Sequence, residues 1–250
     1  MKIATWNVNG IRAREAQLLE LVERERPDVL CLQEVKARPD QVPQMLCEMA
    51  GYWCAWHCGG PYSGVALLAS RAFAAERPPV VHPAFDHECR IATAEIAGIL
   101  FATIYVPNGG KDFAAKLAFL EALDAWAADL AAAGRPAVLC GDLNVAHHDR
   151  DVHPKERKPG AIGQRPDERA IFDRILSRGL VDVGRALHPD ADDFFTWWAP
   201  WRNLRQRNIG WRIDYQLQSA ALAARARTCR SLREFGTSDH APLVVELADA

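Results

Sequence analysis

Apolar residues recur along this chain in two rhythms, and the order of those rhythms repeats. Lys2-Ile3-Ala4-Thr5-Trp6-Asn7-Val8-Asn9-Gly10 is a β-prone run that stops at an Asn-Gly turn signal, and Phe101-Ala102-Thr103-Ile104-Tyr105-Val106-Pro107-Asn108-Gly109 does the same. A helical spacing follows each: Leu18, Leu19, Leu21 and Val22 before Pro27, then Phe113, Leu117, Phe119, Leu120, Leu123, Trp126 and Leu130 before Gly134. Each predicted helix leads into a second apolar strand that closes on a carboxylate, Val29-Leu30-Cys31-Leu32-Gln33-Glu34 and Ala137-Val138-Leu139-Cys140-Gly141-Asp142.

Two fainter echoes continue the series. Ser63–Ser70 parallels Arg212–Ser219, and Arg90–Ile96 parallels His240–Glu246. Four echoes in one order predict two similar halves, each a mixed β-sheet with helices on one face, packed sheet against sheet as a four-layer α/β sandwich. No linker divides the chain, so residues 1–250 are expected to form a single domain. Asn7, Glu34, Tyr105, Asp142, Asp214 and His240 then fall at strand ends or adjoining loops, where one cleft between the sheets collects them.

Composition narrows the class. Hydrophobic residues make up 49% and charged residues 25%, the balance of a globular protein rather than a disordered or fibrous one. The N-terminus enters a strand pattern without the basic start and apolar run of a secretory signal, and no apolar stretch nears the ~20 residues that span a bilayer. Seven cysteines is an odd number, and Cys31 and Cys140 lie inside apolar runs, so a reducing cytoplasm is the expected compartment. Cys54, His57 and Cys58 lack the paired spacing of a structural zinc site and read as strand positions packed on both faces.

A net charge of -2 argues against nucleic-acid binding by the whole surface, but local charge differs. From Phe194 to Ile213 there is no acid, while Arg202, Arg205, Arg207 and Arg212 alternate with Trp197, Trp198, Trp201 and Trp211. Such a run suits phosphate contacts and stacking, or equally a tryptophan core with arginines in solvent. The segment from Asp149 to Arg169 carries both signs and reads as a long loop beside the cleft, followed by a helix from Asp167.

Three motifs carry candidate chemistry. Glu34 closes an apolar strand, either as a surface charge or as an oxygen ligand for a hard cation such as Mg²⁺. Gly141-Asp142-Leu143-Asn144 is a turn or a base beside an amide donor. His240, in Ser238-Asp239-His240, has Asp214 at the end of another strand; an Asp accepting its N–H fixes the tautomer and favours the charged ring.

Taken together, Trp6–Gly10, Leu32–Glu34, Tyr105–Gly109, Gly141–Asn144, Gly210–Tyr215 and Ser238–His240 resemble the successive signatures of the exonuclease III and AP endonuclease family, over a span from Lys2 to Leu247. The resemblance implies hydrolysis of duplex DNA 5′ to abasic sites, with 3′–5′ exonuclease and 3′-end-cleaning as the close alternative, by a monomer with no membrane association. It implies Mg²⁺, with Mn²⁺ as a substitute and one or two ions, held by Glu34 with Asn7, Asp142, Asn144, Asp239 and His240 as alternative or second-site ligands. Asp142 would orient and deprotonate the attacking water, Asp214 would orient His240, Tyr105 would stabilise the transition state, and Asn144 would donate to the phosphate. Asn108, Lys111, Arg205 and Arg207 are the expected backbone contacts, and Trp197 and Trp211 the lining of the pocket for a flipped-out abasic sugar. Asn9 stands where some relatives carry Asp, which removes a negative charge from any site that uses the position. Lipid or inositol phosphate hydrolysis and a non-catalytic DNA-binding role are the other readings; the second would be marked by loss of Glu34, Asp142, Asp214 or His240, all of which are present.

Overall fold

The first apolar run forms strand β1 (Lys2–Asn7), which lies parallel to β2 (Val29–Gln33). Helix α1 (Glu15–Glu25) joins them and ends where Arg26 turns left-handed, with φ 47°, ahead of Pro27. The computed structural model, which describes residues 1–248, adds the short helix α2 (Gln44–Cys47) and strands β3 (Tyr52–His57) and β4 (Val65–Ser70).

The second half opens with β5 (Val80–Val81) and β6 (Ile91–Ile96), then repeats the unit: β7 (Ile99–Tyr105), helix α3 (Phe113–Ala132), and β8 (Ala137–Asp142) parallel to β7. Helix α4 (Pro166–Ser177), β9 (Leu180–Asp182), helix α5 (Val183–Leu187) and β10 (Asp214–Ser219) follow. Helix α6 (Ala220–Ala223), β11 (Ala226–Ser231) and β12 (Leu243–Leu247) return the chain to the first sheet.

The two sheets have six strands each, in the orders β11-β12-β1-β2-β4-β3 and β5-β6-β7-β8-β10-β9. Read side by side, β12, β1, β2 and β4 correspond to β6, β7, β8 and β10, with the same antiparallel, parallel, antiparallel pairing. All four sequence echoes fall on these corresponding strands. The register differs by one residue: Trp6, the echo of Tyr105, faces Leu32, the echo of Gly141, whereas Tyr105 faces Asp142.

Alternation along the strands sorts the apolar side chains into three layers. Ile3, Val29, Cys31, Phe101, Val138, Cys140 and Val245 fill the space between the sheets. Leu30 and Leu32 point outward to Leu18 and Leu21 of α1, and Leu139 and Leu217 outward to Leu120 and Leu123 of α3 and Phe172 and Ile175 of α4. Each fully buried Leu, Ile or Phe contributes about 1.5 to 3 kcal/mol. Gly141 is fixed by contact: its φ is 144°, and a Cβ there would lie 1.9 Å from the Ile104 carbonyl oxygen. Glycine therefore lets β8 run close against β7 one residue before Asp142.

Candidate active site

The strands that carry the polar terminal residues end at one rim of the sandwich. Asn7, Asp142 and Asp214 are the rim residues of β1, β8 and β10, Glu34 follows β2, and His240 precedes β12. Asn7 ties them together, its Nδ2 donating to Glu34 Oε1 at 2.8 Å and to Asp142 Oδ2 at 2.9 Å. Asn144 folds back on Asp142, its backbone N–H donating to Oδ1 at 2.9 Å while its side-chain amide donates to the Val106 carbonyl. His240 Nδ1 lies 2.9 Å from Asp214 Oδ2, and its other ring nitrogen faces Asp142 Oδ2 at 3.8 Å. The contact between Asp214 and His240 anticipated from their motifs is therefore made.

Three residues around this rim have left-handed backbones: Asn9 at φ 43°, Glu34 at 53° and Asn144 at 52°. Asparagine tolerates that region, but for Glu34 it costs on the order of 1 to 3 kcal/mol, a strain of the kind found at functional sites. It follows β2 immediately and turns the carboxylate back toward Asn7.

Electrostatics reinforces the geometry. Burial, joined by the Asp214 and Glu34 carboxylates, pushes Asp142 up to about 8 against the opposing pull of His240 and Asn7. Burial alone would discharge His240, yet Asp214 and Asp142 outweigh it and raise the imidazole to about 10. Tyr105, buried beside the same carboxylates, is held well above the usual phenol range by burial and then by Glu34 and Asp142. Asp239 is lowered: His240 and the donors Trp197 and Asn9 outweigh its burial.

A carboxyl that burial and neighbouring anions make hard to ionise is one that a cation would relieve. Glu34, Asp142 and His240 each offer a ligand atom, all within 4.8 Å of one another. The oxygen-rich donor set fits a hard divalent ion. Asp239 stands apart from that trio, its oxygens accepting from Asn9 Nδ2 at 2.7 Å and Trp197 Nε1 at 3.0 Å.

Around the rim, Asn108 and Lys111 are exposed in the turn that leaves β7. Trp197 packs edge-on against Trp211, with ring centroids 5.6 Å apart, and lies 6.4 Å from the His240 ring. Gly163 permits this arrangement, since a Cβ there would come within 2.9 Å of the Trp211 ring. The arginines of the same stretch divide. Arg207 is exposed, whereas Arg205 donates to the carbonyls of Arg233 and Phe235 at 2.7 Å each and to that of Ser238. Arg205, expected at the DNA backbone, thus has its guanidinium engaged by the turn that carries Asp239 and His240. Arg212 and Trp198 are likewise buried, the arginine bound to Asp151 at 2.8 Å and Asp182 at 2.7 Å.

Several supporting residues escaped the motif reading. Lys36 pairs with Glu34 and donates to Asn9 Oδ1 at 2.7 Å, and the Arg90 guanidinium lies 4.8 Å from the Tyr105 ring centroid. Lys116, fully buried with Glu168, donates to the Asn144 carbonyl at 2.7 Å. That lysine was legible in principle, because it falls on the helical stripe of Leu120, Leu123, Ala127 and Leu130, where an unpaired charge is costly.

Comparison with known proteins points the same way. Residues 4–240 match the Endonuclease/Exonuclease/phosphatase family. The chain is 36% identical over 260 residues to the DNA repair nuclease APEX1 of Danio rerio, covering 99% of this chain and 82% of the relative. It is 34% identical over 253 residues to an exodeoxyribonuclease of Bacillus subtilis, covering 97% and 98%. Among solved structures, the 3′–5′ exonuclease NExo of Neisseria meningitidis superposes with a TM-score of 0.90 at 33% identity, covering 99% of both chains.

Proposed function

The chain belongs to the endonuclease/exonuclease/phosphatase family, and we propose that within it this protein is a DNA repair nuclease that hydrolyses the phosphodiester bond 5′ to abasic sites in duplex DNA. The observation that carries the reading is the meeting of Glu34, Asp142 and His240 at one rim, with Asp214 behind the imidazole. A divalent ion, Mg²⁺ or Mn²⁺ in its place, would be held by Glu34 with Asp142 and neighbouring Asn7, and when bound it neutralises charge on the phosphate oxygens.

The chain's own groups supply the rest. Asp142 orients a water for attack and accepts its proton. Asp214 holds His240 charged and turned toward the phosphate, so that positive charge meets the developing negative charge. Tyr105, kept protonated, donates to the same phosphoryl group, as does the amide of Asn144. Asn108, Lys111 and Arg207 track the DNA backbone, and Trp197 and Trp211 flank an extruded sugar. The missing base removes much of the unstacking cost of that extrusion. The reading is of one domain acting as a monomer in the cytoplasm; no helix among the described residues is long and apolar enough to cross a membrane.

A second reading, mainly 3′–5′ exonuclease with 3′-end cleaning, is favoured by the name of the superposing Neisseria enzyme. A gel assay of abasic duplex, intact duplex and 3′-phosphate-ended duplex at equal enzyme concentration separates the two. Fastest cleavage of the abasic duplex is expected; preference for the 3′-blocked or intact ends would give the second reading, and no cleavage of any would refute both.

A further inference from the structure

A second cluster of metal-binding side chains lies away from the catalytic rim. His57 ends β3, one edge strand of the first sheet, and His82 directly follows β5, one edge strand of the second. Asp86 sits in the loop that continues to β6. One ligand atom from each of the three lies within 4.8 Å of the others. His57 Nε2 is 2.6 Å from Asp86 Oδ2, and the two imidazole rings stack at 3.7 Å with 18° between their planes.

From this arrangement we propose that His57, His82 and Asp86 form a zinc-class site that clips the outer edges of the two sheets together. The chemistry of the donors chooses the ion: two imidazole nitrogens and one carboxylate suit a borderline divalent ion such as Zn²⁺ rather than Mg²⁺ or Ca²⁺, which take oxygens. His82 Nδ1 meets the Ile91 carbonyl at 3.3 Å, a bond that places its proton on Nδ1 and leaves Nε2 with the free lone pair. That is the outer support metal-binding histidines ordinarily have. Asp86 is braced too, its Oδ1 accepting from the backbone of Arg90 at 2.8 Å and Ile91 at 3.0 Å while Oδ2 faces His57. Zn²⁺ would enter between His57 Nε2 and Asp86 Oδ2, displacing the proton they share to solvent, with water completing four-coordination.

The clip has a route to the rest of the molecule. Asp86 fixes the start of β6, and Arg90, whose N–H it accepts, lies over Tyr105. Holding His82 and Asp86 to His57 therefore tethers the loop on which Arg90 stands.

The test is metal binding, read without reference to cleavage. Untagged, EDTA-treated protein carrying Glu34→Gln and Asp142→Asn, which disables the other cluster, is titrated with Zn²⁺ against a chromophoric chelator, its fold being checked by circular dichroism. About one tightly held Zn²⁺ per chain is expected, and a rise in melting temperature with it. Adding His82→Ala, at an exposed position that leaves the core intact, should weaken binding by at least the roughly 10- to 100-fold that loss of a ligand's supporting partner costs. A folded parent that retains no Zn²⁺, or a His82→Ala chain that binds as tightly as its parent, would overturn the site.

Discussion

At the rim of the first sheet β2 pairs Gln33 with Val65 of β4, whereas at the same rim of the second sheet β8 pairs Asp142 with Asp214 of β10. The strands correspond, but the work done at these positions differs. Gln33 turns inward, donating to Thr5 and Thr103 hydroxyls at 3.0 and 3.1 Å, and so joins one sheet to the other. Asp142 and Asp214 instead bracket His240. The connections diverge as well: residues 58–64 suffice between β3 and β4, while 183–213 lie between β9 and β10 and carry α5 and the tryptophan-arginine stretch. Apolar positions common to both halves set the topology, and a few rim positions with one long connection set the chemistry. The halves can therefore be driven apart or together by substitution at those positions alone.

The largest effect should come from giving the second half the side-chain amide that the first carries. Asp142→Asn removes the proton acceptor while keeping the shape, and single-turnover cleavage of abasic duplex should fall by roughly 10³-fold or more. The counterpart change Gln33→Glu alters folding stability rather than the chemical step, because Gln33 faces the buried hydroxyls. Equal losses of rate in the two variants, both folded, would dissolve the distinction between the halves.

Next in size is the pair that has no equivalent in the first half. Asp214→Asn and His240→Asn should each slow cleavage by roughly 10²-fold, and the double variant should lose much less than the product, because both remove one interaction. Multiplicative losses would show two independent residues. The raised value of His240 adds a pH signature in metal-free protein. Its stabilisation is complete below about 6.5 and is lost as pH rises through about 10. Melting temperature measured from pH 6 to 10 should fall less steeply for Asp214→Asn, whose His240 has lost its main anionic partner.

Much of this was legible along the chain, and what was not has a physical cause. The period-two runs and their carboxylate ends fixed the strands, the duplication and the rim, since alternation is a local property. The partners of buried charges are not local. Lys116 meets Glu168, and His57 meets His82 and Asp86, through contacts that only the packing of separate elements creates. Arg205 and Arg207 differ by two positions and look alike in sequence, yet one is clamped by three carbonyls and the other stands in solvent.

A smaller effect is expected at Glu34, the one anionic contribution of the first half to the trio. Glu34→Gln keeps the contact with Asn7 through the amide oxygen but is a poorer ligand, so cleavage should need more Mg²⁺ to reach half-maximum, by on the order of 10-fold, and recover in part at saturating metal. An unchanged metal requirement would move the ion off Glu34. Full activity in excess EDTA would remove the metal from the reaction.

The smallest effect separates the two arginines within the long connection, and it reads the connection's role without touching the rim. Arg207 is exposed and, among the described residues, hydrogen-bonds the Arg202 carbonyl at 3.5 Å, so its charge is available to a phosphate. Replacing it with Ala removes one counterion-releasing contact, and the slope of log affinity for abasic duplex against log salt should flatten by about 1, with melting unchanged. Arg205→Ala should do the reverse. Its guanidinium satisfies the carbonyls of Arg233, Phe235 and Ser238, and removing it strands those acceptors beside the turn to His240, at a cost on the order of 2 to 4 kcal/mol. The salt slope should then remain that of the parent under conditions where the variant is folded, because a group bound to three carbonyls was never neutralising DNA. A flattened slope for Arg205→Ala with unchanged stability would return that arginine to the DNA path and leave the Asp239-His240 turn without its clamp.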